Sequence, residues 1–158
     1  MPLTAPLWHA TRLGRRLIMG ALLLPVLASS QTVGDKALLD MRAAYSRGQS
    51  AELARLLPTV RGHVLEPLAR YWDMRVRLDT ASPTEIRAAL DAMAGTYWED
   101  RLRNDWLLQL GKRRDWPTLA AQHRSYRMKD DKEVSCYALA ADAILSKLEV
   151  SAEAKRLW

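Results

Sequence analysis

The stretch from Tyr97 to Trp116 constrains the fold of this chain more than any other part of its sequence. Apolar side chains recur every four residues along it, and charged side chains fill most of the remaining positions. This period is typical of an amphipathic α-helix of about five turns. The stripe is wide enough to predict packing against helices on two sides. Its members are Trp98, Leu102, Trp106, Leu107, Leu108 and Leu110.

Local signals mark where helices begin. Asp115 stands before Trp116 and Pro117, so it is placed to cap a helix that follows the long one directly. The tetrapeptide Ser82-Pro83-Thr84-Glu85 has the composition of a capping box, with a proline at the first helical position. Gly48 and Gly95 suit the left-handed residue after a helix end. The repeated unit is therefore a long helix, a sharp corner and a shorter helix.

The rest of the chain repeats this pattern. Further helices are predicted for residues 35–47, 65–78, 83–94, 116–126 and 134–148, with short ones beginning near Ser50 and Ser151. No stretch alternates apolar and polar residues as a half-buried strand would. The longer helices begin near Asp35, Leu65, Glu99 and Val134, a spacing of about 30 to 35 residues that is typical of helix-pair repeats.

These features predict an all-α fold. The specific hypothesis is a superhelical stack of antiparallel helix pairs, an α-solenoid similar to tetratricopeptide arrays. An ordinary helix bundle is the alternative. Repeat arrays normally end in a helix with a polar outer face, whereas the last helix here carries Leu157 and Trp158. We therefore expect the array to be truncated.

Residues 1–30 have the composition of a secretory signal peptide. Three arginines precede a short apolar run at residues 17–27, and Ala28-Ser29-Ser30 offers small residues for cleavage. The run is shorter than the ~20 residues that a membrane-spanning helix needs, so an uncleaved anchor is the less favoured alternative. The predicted domains are a signal peptide at 1–30 and a helical domain at 31–158. The predicted location is the periplasm.

Removal of the signal peptide also changes the charge argument. It takes away three arginines and no acids, so the formal net charge falls from +6 to +3. This small excess, together with export, argues against nucleic-acid binding.

Side chains with catalytic or metal-binding potential are few. His9, His63 and His123 are isolated and make no metal site, and no cofactor motif is present. Glu99 and Asp100 point about 100° apart on a helix, so they predict stabilisation of the helix dipole, not a carboxylate pair. Tryptophans and tyrosines at helical spacing favour core packing over sugar binding. Cys136 stands alone, which suggests a missing or intermolecular disulfide partner; a buried small apolar residue is an equal alternative.

Residues 101–116, RLRNDWLLQLGKRRDW, are followed by Cys136-Tyr137-Ala138 and by the closing AEAKRLW of residues 152–158. This succession resembles the soluble lytic murein transglycosylases of Gram-negative bacteria in order and spacing. The resemblance runs across most of residues 31–158 and is strongest from Trp98 onward.

The resemblance implies an N-terminal part of a periplasmic superhelical domain. In that family a lysozyme-like domain follows, and it cleaves the MurNAc–GlcNAc bond of peptidoglycan without water to give a 1,6-anhydro product. One Glu, in a Glu-Ser motif closely followed by a Phe, acts as acid and then as base. This chemistry requires a carboxylic acid that stays protonated near neutral pH.

No Glu of this sequence is followed by Ser, and the sequence contains no Phe. We therefore predict a scaffold that is inactive by itself, has no catalytic residue, and meets peptidoglycan only through the parent protein's missing domain. Other cell-wall proteins are possible partners, and the membrane is met only during export. The family also implies that the disulfide partner of Cys136 lies beyond Trp158. The alternative is a small periplasmic helical-repeat module that binds a partner protein.

Overall fold

The computed structural model describes residues 24–146 and 149–157. These residues form α-helices and one 3-10 helix, and no strand occurs among them. The predicted all-α class is therefore confirmed for the described part of the chain. The helices are α1 (Leu24–Ser46), α2 (Ser50–Leu56), the 3-10 helix (Leu57–Val60), α3 (Glu66–Arg77), α4 (Pro83–Ala92), α5 (Tyr97–Arg113), α6 (Trp116–His123), α7 (Lys132–Ser146) and α8 (Ser151–Leu157).

Long and short helices alternate along the chain. The odd-numbered helices α1, α3, α5 and α7 contain 23, 12, 17 and 15 residues. The even-numbered helices that follow them contain only 7, 10, 8 and 7 residues. Helices α3, α5 and α7 begin at Glu66, Tyr97 and Lys132, close to the predicted starts at Leu65, Glu99 and Val134.

The first helix differs from its prediction. Helix α1 begins at Leu24, before the predicted start at Asp35, and it continues without a break past Ser30. The predicted cleavage site therefore lies inside a helix, while residues 1–23 of the predicted signal peptide lie outside the described residues. None of the helices described here combines the length and the apolar character that a membrane crossing requires.

Most predicted caps are confirmed. The Ser82 hydroxyl accepts the Glu85 N–H at 3.3 Å and the Glu85 carboxylate accepts the Ser82 N–H at 2.9 Å, which completes the capping box of α4. Asp115 caps α6 as predicted, and α5 is capped by Thr96, which is not among the predicted caps. Ser50 also has the composition of a cap, but it is the first residue of α2. The N-cap is Gln49, whose side chain makes no capping hydrogen bond.

Helix contacts follow the order of the chain. With the 3-10 helix counted as an extension of α2, each helix packs only on those one or two places away from it in the sequence. The long helices form one series, α1 on α3, α3 on α5 and α5 on α7. The short helices α2, α4 and α6 each pack between two long ones, and α8 packs on α7. A closed bundle would also bring the first and last helices together, and no such contact occurs among the described residues.

Two apolar clusters fill the interior. The first comprises buried side chains of α1, α2, the 3-10 helix and the start of α3, including Met41, Leu53 and Val60. The second extends from α3 to α7 around Trp106 and Leu107. Trp72 packs against both clusters, and its ring stacks on Tyr45 with centroids 5.7 Å apart. Helix α3 is therefore the junction between the two halves of the core.

Candidate functional site

The segments that carry the family resemblance meet in space. Asp115 accepts the Thr118 N–H at 3.3 Å and so turns the chain from α5 into α6. The ring of Tyr137, on α7, packs against Trp116 with centroids 6.5 Å apart and lies directly on Gly111 of α5. A side chain at position 111 would overlap that ring. The corner between α5 and α6 and Tyr137 of α7 therefore form one contact cluster.

The polar face of α5 is more buried than the amphipathic pattern predicts. Asp100 is 2% exposed, whereas the sequence predicts only an interaction with the helix dipole. Its carboxylate accepts the backbone N–H groups of Arg127 at 3.0 Å and of Met128 at 2.7 Å. The loop between α6 and α7 is thus fixed to the first turn of α5 by a buried carboxylate.

A second connection joins the same loop to α5. Asn104 accepts the Tyr126 hydroxyl at 2.7 Å and donates to Asp131 at 3.2 Å. Asp131 also accepts the N–H groups of Glu133 and Val134 and thereby begins α7. Burial, followed by the hydrogen bond to Asp130, raises the pKa of Tyr126 well above its ordinary value. These contacts give the buried polar groups of the loop a structural role.

Glu99 and Arg103 form a shielded ion pair on α5. Their side chains approach to 2.6 Å, and Arg103 also donates to Gln122 of α6 at 2.7 Å. Burial alone would raise the pKa of Glu99, but the hydrogen bonds from Arg103 and from the Gly95 N–H outweigh it and hold the pKa below 4.5. Glu99 and Asp100 make their shortest contacts with different groups, Arg103 and the loop N–H groups, but they share Arg127, whose guanidinium lies 3.2 Å from Glu99 and 3.8 Å from Asp100.

A third polar contact links α3 to α5. The Tyr71 hydroxyl donates to Asp105 at 2.9 Å, and Arg75 lies 3.2 Å from the same carboxylate. Burial, with the Asp105 charge next in importance, raises the pKa of Tyr71 to about 12. Tyr71, Trp106 and Tyr126 are buried, which confirms core packing for these aromatic residues.

Two clefts open between successive short helices. The first lies between the 3-10 helix, α3 and α4 and has a volume of about 250 Å³. The second lies between α6, α7 and α8 and has a volume of about 210 Å³. The first cleft is lined by Leu57, Arg70, Asp73, Met74, Arg77 and Glu85. The second is lined by His123, Lys129, Ser135, Leu139, Asp142 and Glu153.

The two clefts are built in the same way. Floor residues of the first occupy positions 70, 73, 74 and 77 of α3, and those of the second occupy positions 135, 138, 139 and 142 of α7. Both sets have the spacing of neighbours on one helix face. The wall residues Glu85 and Glu153 are each the third residue of a short helix. Neither cleft is predictable from the sequence, because each one depends on how two short helices pack on opposite sides of a long one.

The predicted histidines and cysteine lie apart from one another. His63 is in the loop before α3, 2.9 Å from Asp35 of α1, and His123 ends α6. Burial lowers the pKa of His123. Cys136 is exposed and unpaired in the described structure, so its interpretation as a buried apolar residue is wrong. Its disulfide pairing stays a prediction. No group of three or more metal-ligating side chains gathers within the described residues.

The glutamates with a shifted pKa are poorly suited to general acid catalysis. Among the described glutamates with a shifted pKa, every shift is downward, and hydrogen bonds to the carboxylate contribute in each case. General acid catalysis at neutral pH needs the opposite shift. These groups are Glu52, Glu66, Glu85, Glu99 and Glu149. The arrangement is suited to holding helices together and to binding polar groups in the two clefts.

Comparisons with known proteins give no family assignment. No protein-family model, curated protein or solved structure matches this chain.

Proposed function

We propose that residues 31–158 are an N-terminal part of the helical scaffold of a periplasmic lytic transglycosylase and do not cleave glycan themselves. The observation that carries this proposal is the contact cluster of Gly111, Trp116 and Tyr137. These residues come from two separate segments of the resemblance, and their contact gives the shared sequence pattern a packing reason.

The proposed scaffold is a superhelical stack of antiparallel helix pairs. The helix contacts support this architecture, because each described helix packs only on helices one or two places away in the sequence. In a solenoid, likewise, each repeat touches only its neighbours. The alternation of long and short helices and the matched construction of the two clefts support it further.

Zymography on peptidoglycan tests the absence of catalysis. The purified chain should produce no cleared band and no 1,6-anhydro product, while an intact lytic transglycosylase on the same gel provides the positive control. The reason for this expectation is that no Glu of the sequence is followed by Ser, and the lowered pKa values of Glu85 and Glu99 agree with it. Clearing by the purified chain would refute the proposal of an inactive scaffold.

The coding DNA after the Trp158 codon tests the assignment to the family. We expect it to encode, in frame or after a frameshift, a Cys soon after Trp158 and a Glu-Ser motif further on. That Cys would be the partner of Cys136, whose thiol is exposed on α7 and accessible to a bridge. A clean stop followed by an unrelated gene would contradict the family assignment.

Export is a separate part of the proposal. We infer cleavage near Ser30, within the segment where α1 is continuous in the uncleaved chain. Mass spectrometry of the protein recovered from the periplasm should give a mature N-terminus at or near Gln31. A protein that retains Met1 and stays with the cytoplasmic fraction would rule out this part.

The second candidate is a helical-repeat module that binds a partner protein. The two clefts favour it, since they place mixed charges and apolar surface at equivalent positions of two repeats. The DNA test separates the candidates, because a complete adaptor has no downstream catalytic sequence.

A further inference from the structure

His63 uses both nitrogens of its ring, in the loop between the 3-10 helix and α3. Its Nδ1 atom accepts the Leu65 N–H at 3.0 Å, and its Nε2 atom lies 2.9 Å from a carboxylate oxygen of Asp35 on α1. A ring nitrogen that accepts a hydrogen bond carries no proton of its own. The geometry therefore belongs to the neutral ring with its proton on Nε2, which donates to Asp35.

The ring connects α1 to the start of α3. On one side it lies against the backbone of α1, where a Cβ added to Gly34 would be 3.1 Å from His63 Cδ2. On the other side it supports Leu65, the N-cap residue of α3, whose own side chain makes no capping hydrogen bond. The His63 carbonyl also accepts the next N–H group, that of Glu66, at 2.9 Å. His63 thus satisfies two of the N–H groups that have no helical acceptor at the start of α3.

A proton on Nδ1 would remove one of these contacts and keep another. The imidazolium has an N–H donor on each nitrogen, so Nδ1 would face the Leu65 N–H as a second donor, and that hydrogen bond is lost. Nε2 would still donate to Asp35, now between opposite charges, and such a hydrogen bond is stronger than a neutral one. Gaining a proton therefore detaches the ring from Leu65 while the ring stays paired with α1.

Other charged groups on the elements around the ring have partners of their own or lie in solvent. On α1, Lys36 pairs with Asp40 at 2.8 Å, and on α3, Arg70 pairs with Glu66 at 2.5 Å. Arg61, in the same loop, is exposed, and the 3-10 helix has no charged side chain. Asp35 is therefore the charged group that contacts the ring.

These neighbours keep their charge near neutral pH. Lysine and arginine stay protonated there. The hydrogen bond from the Gly62 N–H is the largest cause that lowers the pKa of Glu66 below 4.5, so this carboxyl group stays ionised. Histidine is the side chain that ordinarily changes its charge between about pH 5 and pH 8. A change at the start of α3 in this range can therefore be assigned to the ring of His63.

We propose that His63 is a pH-dependent switch between α1 and the start of α3. In its neutral form the ring bridges Asp35 and the Leu65 N–H. In its protonated form the ring keeps Asp35, and the loop of residues 61–65 loses its attachment. Asp35 and His63 are 28 positions apart, which is why the sequence shows an isolated histidine. The proposal does not depend on the function proposed above.

The test is nitrogen-15 NMR of the full chain between about pH 8 and pH 5. At the alkaline end, the His63 ring should carry its proton on Nε2 and none on Nδ1. On acidification, the Leu65 amide resonance should move with the same midpoint as the ring. The protection factor of this amide against hydrogen exchange should fall about fivefold or more, because its hydrogen bond is lost.

Two variants and a matched control assign the effect. His63→Gln has no titrating ring and should remove the Leu65 transition, whereas His123→Gln, which changes a histidine of α6, should keep it. Asp35→Asn retains an acceptor for Nε2 but loses the negative charge. Because Asp35 is 66% exposed, this variant should move the midpoint to lower pH by about 0.2 to 0.7 units, as expected for a solvent-screened ion pair.

Several outcomes would overturn the proposal. They are a neutral ring with its proton on Nδ1, a ring that gains no proton in this range, and a ring that titrates while the Leu65 amide does not respond. Persistence of the Leu65 transition in His63→Gln, or an unchanged or higher midpoint in Asp35→Asn, would overturn it as well. If His63→Gln does not fold, the ring tautomer and the agreement of the two midpoints in the parent chain still decide the question.

Discussion

The aromatic ring of Tyr137 lies on the backbone of α5 at Gly111, with no room for a side chain between them. A Cβ added to residue 111 would lie 2.6 Å from Tyr137 Cε2 and closer still to other ring atoms. Glycine in a helix is unfavourable by itself, by about 1 kcal/mol relative to alanine. Its presence at this position is explained by the close approach of α7.

Gly111→Ala should therefore destabilise the protein, in spite of the better helix propensity of alanine. Overlap with the Tyr137 ring forces α5 and α7 apart, which is expected to cost about 1 to 3 kcal/mol. Urea unfolding followed by circular dichroism measures the change. In a Tyr137→Ala background the same substitution should become stabilising, by about 1 kcal/mol. An equal effect of Gly111→Ala in both backgrounds would contradict the packing explanation.

Asp100→Ala should detach the loop between α6 and α7. The substitution leaves the N–H groups of Arg127 and Met128 without their acceptor, at an expected cost of about 2 to 4 kcal/mol. Hydrogen exchange at these two amides should accelerate more than exchange in the α5 core. The control Asp91→Ala removes an exposed acid of α4 and should change stability by less than about 0.5 kcal/mol. Unchanged protection at Arg127 and Met128 would rule out this role for Asp100.

Helix caps could be predicted from the sequence, whereas contacts between residues far apart in the chain could not. The Ser82–Glu85 box and the Asp115 cap use partners three residues apart, so the local sequence contains the whole interaction. The Asp100 contact joins residues 27 positions apart. Helical periodicity places Asp100 on the polar side of α5, but it does not show that a loop covers that side.

The candidate sites also depend on contacts between residues that are distant in the sequence or on different helices. Asp73 looks like an ordinary exposed acid in the sequence, and Glu85 is recognisable there only as part of the capping box. Only the packing of α4 against α3 places both beside Arg77. Cys136 could be assigned to a helix from its spacing, but its exposure depends on which side of α7 faces α5 and α6. The sequence does not predict the early start of α1, because an apolar run before residue 30 is equally typical of a signal peptide and of a helix.

Glu99 should contribute to stability at neutral pH and lose that contribution in acid. Its pKa is lowered in the folded protein, so its contribution is complete above about 4.5, the ordinary value, and falls as the pH drops through the folded-state pKa. Urea unfolding between pH 7 and pH 3 should show a smaller acid-induced loss in Glu99→Gln, with a stability about 2 kcal/mol lower at pH 7.

The matched control for this pH dependence is Glu52→Gln. The Glu52 carboxylate pairs with Arg55 in contact with solvent, where an ion pair is screened. The loss of unfolding free energy between pH 7 and pH 3 should be nearly the same in Glu52→Gln as in the parent chain. If Glu99→Gln retains the full acid-induced loss, the dependence belongs to other carboxyl groups.

Arg114→Gly should stabilise the protein. Arg114 ends α5 with φ of 59° and ψ of 31°, a left-handed conformation that is unfavourable for any residue with a Cβ. Glycine removes that strain, and the expected gain is about 1 kcal/mol. Arg124 ends α6 with φ of −59°, so Arg124→Gly should instead destabilise by about 0.5 to 1 kcal/mol. Thermal unfolding of the two variants side by side measures this contrast, and a loss of stability in both would contradict it.

Trp72→Ala should separate the unfolding of the two halves of the core. Trp72 is the partly buried side chain that packs against both apolar clusters and stacks on Tyr45, so its removal weakens their contact by about 3 kcal/mol. Because helix contacts follow chain order, no later helix can compensate for this loss. Hydrogen exchange should show Met41 opening before Leu107 in the variant.

Trp98→Ala is the matched control for that separation. Trp98 is also partly buried, but it packs against the second cluster alone. Its removal should lower stability while the two clusters keep the relative order of opening that they have in the parent chain. In a repeat array each repeat is stabilised only by its neighbours. Weakening one junction therefore lets the two sides unfold separately. If Met41 and Leu107 still open together in Trp72→Ala, the chain unfolds as a single cooperative core, and the ordinary helix bundle becomes the better description.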